Sequence, residues 1–283
     1  MPTELQSIAL GLPEEFVRKN AKYVKLLRGF RLLDDDFMSK VFEDTACAQL
    51  LLNIILERDD LTVREVHGQY TIKNLQGRSV RLDILAIDQY GKRYNIEIQR
   101  RDEGADAHRA RYNSSLLDAN LTEPGDCYTA LGETYVIFIT ERDVLKAGLP
   151  IYHIDRIVQE TGTAFGDGSH IIYVNAQHKN DTPLGKLMHD FSCTSAEEMN
   201  YPVLAERVRY FKEDVKGATA MCREVEKLVM EEKRQSLMEG REEGMLSAIR
   251  AVMEELSVSL DDAMRILKIP EAEKDTYRGL LNR

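Results

Sequence analysis

The chain has 283 residues, 43% of them hydrophobic and 30% charged, with a formal net charge of −10. That balance suits one large globular domain, or a domain with an appendage, and the acidic excess excludes blanket affinity for nucleic acid. No basic-then-apolar leader opens the sequence, and apolar runs such as YVIFI at 135–139 are far too short for a membrane span, so a cytoplasmic protein without membrane contact is expected.

Residues 36–57 carry apolar side chains at 37, 38, 41, 42, 51, 52, 55 and 56, which predicts one helix preceded by the acidic run at 34–36. From 62 to 100 the period changes to two, predicting three strands at 62–73, 78–88 and 92–100 with turns at NLQG and QYG. Residues 105–121 return to a helical pattern, 133–140 and 170–175 read as buried strands, and IYHIDRIVQ at 151–159 is ambiguous. Strands flanked by helices imply an α/β or α+β layered core ending near residue 195, within a first domain of 1–200. A long charged helical segment, 201–249, and a small C-terminal unit, 250–283, of two short helices broken at Pro270 complete the organisation.

The hairpin is the informative stretch. With Gln89, Tyr90 and Gly91 as a three-residue loop, Asp88 pairs with Lys92 and Asp83 falls directly opposite Glu97. Paired residues project to one face about 5 Å apart, and Gln99, two residues on, shares that face. Opposed carboxylates repel, so a cation partner, a raised pKa or a bound metal must offset the cost. Two readings stand at this point: a solvated acidic face neutralised by Arg81 or Arg100, or a site for Mg²⁺ or Mn²⁺. The window from Arg78 to Arg111 is also locally basic, with Arg78, Arg81, Lys92, Arg93, Arg100, Arg101, Arg109 and Arg111 against six acids.

These residues carry a resemblance. Asp83, thirteen residues, then Glu97-Ile98-Gln99 is similar to the core of the PD-(D/E)xK nucleases, and RLDILAIDQYGKRYNIEIQ resembles the Rpn family of recombination-promoting nucleases, also described as PD-(D/E)xK transposases. In that family Gln stands where other superfamily members have Lys. An Arg followed three and four residues later by Tyr-Tyr appears here as Arg109, Tyr112 and Asn113, so the second Tyr is missing. The family's D-x-x-F-K-x-x-F helix start appears as Asp35, Met38, Ser39 and Phe42, with its Phe and Lys replaced. EGREEG at 239–244, on the charged C-terminal helix, is also in the family's style.

The resemblance implies a restriction-endonuclease-like α/β fold, a mixed sheet flanked by helices with a C-terminal helical extension. It implies Mg²⁺- or Mn²⁺-dependent DNA cleavage, with Asp83 and Glu97 holding the metal and Gln99 positioning water or phosphate. Arg100, Arg101, Arg109, Arg111 and Tyr112 would contact DNA or support the site, and Asp35 would contribute from its helix. An alternative is a nuclease-fold DNA-binding or regulatory protein that does not cut, and another is an interaction protein using its helical tail, with a homodimer through that helix.

Other features carry less. GTAFGDG at 162–168 lacks the Gly-Lys-Ser/Thr of a phosphate loop. Cys47, Cys127, Cys193 and Cys222 are scattered, and no H-x-H or H-E-x-x-H pair occurs, so neither zinc nor a disulfide framework is expected. The last helix pair is too weakly basic for DNA recognition and reads as a docking or capping unit.

Overall fold

The structure, a computed structural model, describes residues 11–74, 77–100, 102–121, 125 and 127–281. Short helices α1 (Glu14–Lys19) and α2 (Ala21–Gly29) precede α3 (Asp35–Phe42) and α4 (Thr45–Ile55). The single helix expected over 36–57 is therefore two. Asp44 causes the break: its carboxylate accepts from the amides of Ala46 at 2.9 Å and Cys47 at 3.2 Å, capping a new helix within the apolar pattern.

Strands β1 (Val63–Ile72), β2 (Val80–Asp88) and β3 (Arg93–Gln99) form an antiparallel meander. Gly91 takes φ +79° in the turn, and Asp88 holds the loop by accepting from the amides of Tyr90 at 2.8 Å and Lys92 at 3.0 Å. Ile84 then faces Ile96, and Ala86 faces Tyr94, which is the register that alternation predicts.

After β3, a 3₁₀ turn (Asp102–Ala105) and α5 (Ala107–Ala119) lead to β4 (Thr134–Thr140), parallel to β3. The ambiguous stretch resolves into β5 (Ile151–Ile154) and, with the next residues, a two-stranded ribbon of β6 (Ile157–Val158) and β7 (Thr163–Ala164). Strand β8 (Ser169–Asn175) pairs parallel to β4 and antiparallel to β5. The mixed sheet has the order β1-β2-β3-β4-β8-β5.

Both faces are covered, so the strands are apolar on both sides. One face buries Tyr94, Ile96, Ile98 and Ile137 beneath Phe37, Phe42, Leu51 and Leu52 of α3 and α4, Phe191 of α6 (Pro183–Ser192) and Phe211 of α7 (Pro202–Glu213). The other buries Leu82, Leu85, Val136 and Phe138 beneath Ala110 and Leu117 of α5. The core extends past residue 195: Leu204, Val208 and Phe211, with Met221 and Cys222 at the start of α8 (Val215–Leu256), belong to it.

Contacts divide the chain into two compact units between Cys222 and Arg223. The second comprises the rest of α8 with α9 (Leu260–Ile266) and α10 (Glu271–Leu281), separated at Pro270. It has its own small core of Ile249, Ala263, Met264, Ile269 and Tyr277.

Candidate functional site

Three carboxyl groups from separate elements approach one another at the open end of the hairpin. Asp83 on β2 leaves the regular ladder and accepts a hydrogen bond from the Ile98 amide of β3 at 3.0 Å. Opposite it in the β1 register, Gln69 takes φ +49°, and its amide donates to Asp36 at 3.0 Å. Ser39, buried on α3, donates its hydroxyl to the Asp83 carbonyl at 3.4 Å, tying that helix to the strand. Asp35, the first residue of α3, is thereby close enough for its charge to act on Asp83.

Glu97 is fully buried. Its Oε2 accepts from Arg109 Nη2 of α5 at 2.7 Å, whereas among the described residues its buried Oε1 has no hydrogen-bond partner of good geometry, the Asn95 amide being the polar neighbour on the same strand. Burial, then the nearby charge of Glu97, pushes the Asp83 carboxyl up to about 8. Burial, reinforced by Asp36, pushes Asp35 up to about 6. Burial also raises Glu97, against the pull of Arg109. These are carboxylates in a dry setting with too little positive charge, the opposite of a solvated acidic face. Neither cation considered for neutralising such a face does so: Arg81 is exposed, and Arg100 is paired elsewhere.

Gln99 stands two residues after Glu97 on β3, with Oε1 against Gly104, where an added Cβ would sit 1.8 Å from that oxygen. Arg109 Nη1 donates to the Gly104 carbonyl at 3.0 Å, so one guanidinium braces both Glu97 and the turn that shapes the Gln99 environment. Arg100 instead joins a network at the edge of the cluster, bonded to Asp34 at 2.7 Å and to Glu141 at 3.4 Å, with Arg31 on Glu141 at 3.0 Å. Arg101 lies outside the described residues.

A groove of about 870 Å³ runs between the start of β2 and α5, carrying Arg78, Arg81, Arg109 and Arg111. Tyr112 stiffens its wall by donating its hydroxyl to the Arg78 carbonyl, and Asn74 donates to that hydroxyl at 3.2 Å. Arg109 belongs both to the groove and to Glu97, so the basic surface leads to the carboxylates.

Reasoning from residue patterns missed several parts of this arrangement. Arg31, Asp34 and Glu141 join through long-range contacts that no local spacing signals. Asn95 and Asn113 are buried polar amides, on β3 and on the α5 turn after Arg109; Asn95 bears on Glu97, and among the described residues Asn113 has no hydrogen-bond partner. An amide at an otherwise apolar, fully covered strand position was the available signal for Asn95.

The PD-(D/E)XK nuclease family transposase profile matches residues 38–189, from α3 through the sheet to α6. The chain belongs to that family. Searches of curated proteins and of solved structures give no match. The PD-(D/E)XK membership agrees with the mixed six-stranded sheet and its flanking helices, and it supports a nuclease or transposase type of function with DNA as the implied substrate. Nucleases of this class generally use divalent metals. Among the described residues no helix is long and apolar enough to cross a membrane.

The donor set fits such an ion. Asp35, Asp83 and Glu97 offer oxygen ligands only, as Mg²⁺ and Mn²⁺ prefer, and the Oε1 of Glu97 is a buried acceptor lacking a well-formed hydrogen bond among the described residues, which would cost about 1–3 kcal/mol unless something occupies it.

Proposed function

We propose that this PD-(D/E)XK family member is a metal-dependent DNA endonuclease that hydrolyses phosphodiester bonds at the Asp83–Glu97 site. The observation that carries the reading is the convergence of desolvated carboxyl groups, one with a buried oxygen lacking a partner of good geometry among the described residues, at the end of an arginine-lined groove. Asp83 and Glu97, with Asp35 as a third oxygen donor, would hold Mg²⁺ or Mn²⁺. The bound ion would supply Lewis-acid polarisation of the phosphate and lower the pKa of an attacking water.

The protein's own groups do the rest. Gln99 offers both a donor and an acceptor, and so can orient a water or a phosphate oxygen without adding charge. Arg109 favours the charged form of Glu97 against the burial that opposes it, and fixes its Oε2 at 2.7 Å. Arg78, Arg81 and Arg111 hold the backbone phosphates, fixing position without reading bases. Arg100, paired with Asp34 and Glu141, supports the edge of the site. A homodimer is assigned to α8, on which Met230, Leu237 and Met238 are exposed; light scattering of the purified chain tests it.

Plasmid cleavage with Mg²⁺ or Mn²⁺, compared with EDTA and with Asp83→Ala and Glu97→Ala, tests the reading. Cutting by the parent alone, and only with metal, is the expected result. Cutting by either folded variant at the parent's rate would mean the site is wrong. The neutral Gln99, where superfamily relatives carry Lys, favours a second reading as a DNA-binding protein that does not cut. Filter binding without cleavage in any metal would select it.

A further inference from the structure

We propose that the C-terminal end of α6 carries a second metal site, separate from the carboxylate cluster, in which His189, Asp190 and Cys193 bind a zinc-like ion and leave one position open. His189 Nδ1 lies 3.4 Å from Asp190 Oδ1 and 3.5 Å from Cys193 Sγ, and the three ligand atoms are all within 4.8 Å of one another. Tetrahedral zinc, with bonds of about 2.0–2.2 Å to nitrogen and oxygen and about 2.3 Å to sulfur, separates its ligand atoms by roughly 3.3–3.6 Å. Two edges of that tetrahedron are therefore already formed, and the third, between Asp190 and Cys193, is within 4.8 Å. His189 and Cys193 stand four residues apart, so the turn of the helix brings them to one side.

The surroundings favour an ion over a simple helix-end contact. Asp190 is fully buried, and among the described residues its ion pairing is with His189 alone, with no Lys or Arg. Its carboxylate is held in place by the amides of Asn200 at 2.7 Å and Tyr201 at 2.9 Å, and by the Asn200 side chain at 2.8 Å. Outer hydrogen bonds of this kind orient metal-binding carboxylates. The nearby Lys212 ammonium is committed to the carbonyls of Arg28, Phe30 and Thr194.

Cys193 is buried, with its thiol directed to the His189 carbonyl at 3.3 Å, while His189 is half exposed and leaves a path from solvent. On binding, the thiol proton leaves to water and the thiolate takes the metal; the Asn200 amide, 3.1 Å from Nδ1, yields that lone pair and keeps Asp190. The mixed N/O/S donors select a borderline-soft ion, whereas the oxygen-only cluster selects a hard one. All three ligands lie within residues 189–193, so the ion would fix the end of α6, whose Asp190 already bonds Asn200 and Tyr201 ahead of α7. His189 and Cys193 match no familiar two-histidine or C-x-x-C pattern, which is why their spacing alone did not signal a metal.

The test uses the full chain stripped with EDTA and titrated with Co²⁺ as a visible stand-in for Zn²⁺. One equivalent should produce a thiolate-to-cobalt charge-transfer band and intense tetrahedral bands, both displaced by Zn²⁺. These signals should vanish in Cys193→Ser and in His189→Ala and persist in Asp83→Asn. Zn²⁺ should also raise the melting temperature of the parent and not that of His189→Ala, whose half-exposed position tolerates the change. No charge-transfer band in the parent, or a band that survives in Cys193→Ser or His189→Ala, would overturn the proposal. Loss of the band in Asp83→Asn would instead place the ion at the carboxylate cluster.

Discussion

Arg109 reaches from α5 to a Glu97 carboxylate that is wholly buried on β3, donating at 2.7 Å to one oxygen and leaving the other, among the described residues, without a partner of good geometry. The contact combines charge compensation with positioning, and removal of either member leaves a different defect. Arg109→Met strands a buried carboxylate and should destabilise the protein by about 2 kcal/mol, less than a fully buried pair because the arginine is partly exposed. Adding Glu97→Gln to that variant should recover most of the loss. Denaturant titration of the four proteins completes the cycle, and additive losses would mean the two side chains act independently.

The pH dependence follows from the raised Asp83 carboxyl, about 8 in the folded chain against an ordinary value of 3.8. Between those values the folded state holds a proton that the unfolded state releases. The contribution to stability is therefore present at low pH and is lost as pH rises through about 8. In EDTA, Asp83→Asn should gain melting temperature relative to the parent as pH is raised across that window. A difference that stays constant with pH would show that Asp83 does not titrate there.

Divalent metal should reverse the same deficit. At a hundred times its dissociation constant, Mg²⁺ should stabilise the parent by about 2.7 kcal/mol, and Asp83→Asn should lose most of that gain. Thermal melts of both proteins with and without the ion check this; equal shifts would detach the ion from Asp83.

Gly104→Ala would place a methyl where Gln99 Oε1 now lies. Because the displaced atom ends a flexible side chain, stability should fall little, whereas a misplaced amide should cost about tenfold to a hundredfold in cleavage rate. Measurement of melting temperature beside cleavage separates the two. Gln99→Lys, which restores the commoner superfamily residue, should keep part of the activity; total loss with a normal fold would show that an acceptor is required there.

Lys212 makes a separate structural prediction. Its ammonium, buried on α7, donates to the carbonyls of Arg28 at 3.1 Å and of Phe30 and Thr194 at 2.6 Å, and lies 5.3 Å from the Phe37 ring centroid. Lys212→Met fills the volume but orphans three carbonyls, and should cost about 3 kcal/mol in chemical denaturation with no direct effect on the carboxylate site.

The sequence alone was sufficient for the hairpin from its turn as far as the Ile84–Ile96 pair; the expected Asp83–Glu97 pair falls beyond that ladder, where Asp83 accepts from the Ile98 amide instead. Alternation over β2 and β3, with a left-handed Gly91 and an Asp88 that bonds its own turn, permits one register, because a slip of one residue would turn every apolar side chain to the wrong face. The parallel strands and α5 were legible for the same reason, each being a periodic run bounded by turn residues. The tertiary structure decided what periodicity does not encode. It broke the helix at Asp44, where one capping carboxylate outweighs a continuous apolar pattern. It brought Asp35 near Asp83, gave Glu97 to Arg109, and drew Arg100 toward Asp34 and Glu141 across 66 and 41 residues of chain. Period and turn chemistry act between neighbours in sequence. Burial, and with it the cost of an uncompensated charge, depends on which distant elements pack over a residue, and that is settled only when the layers close.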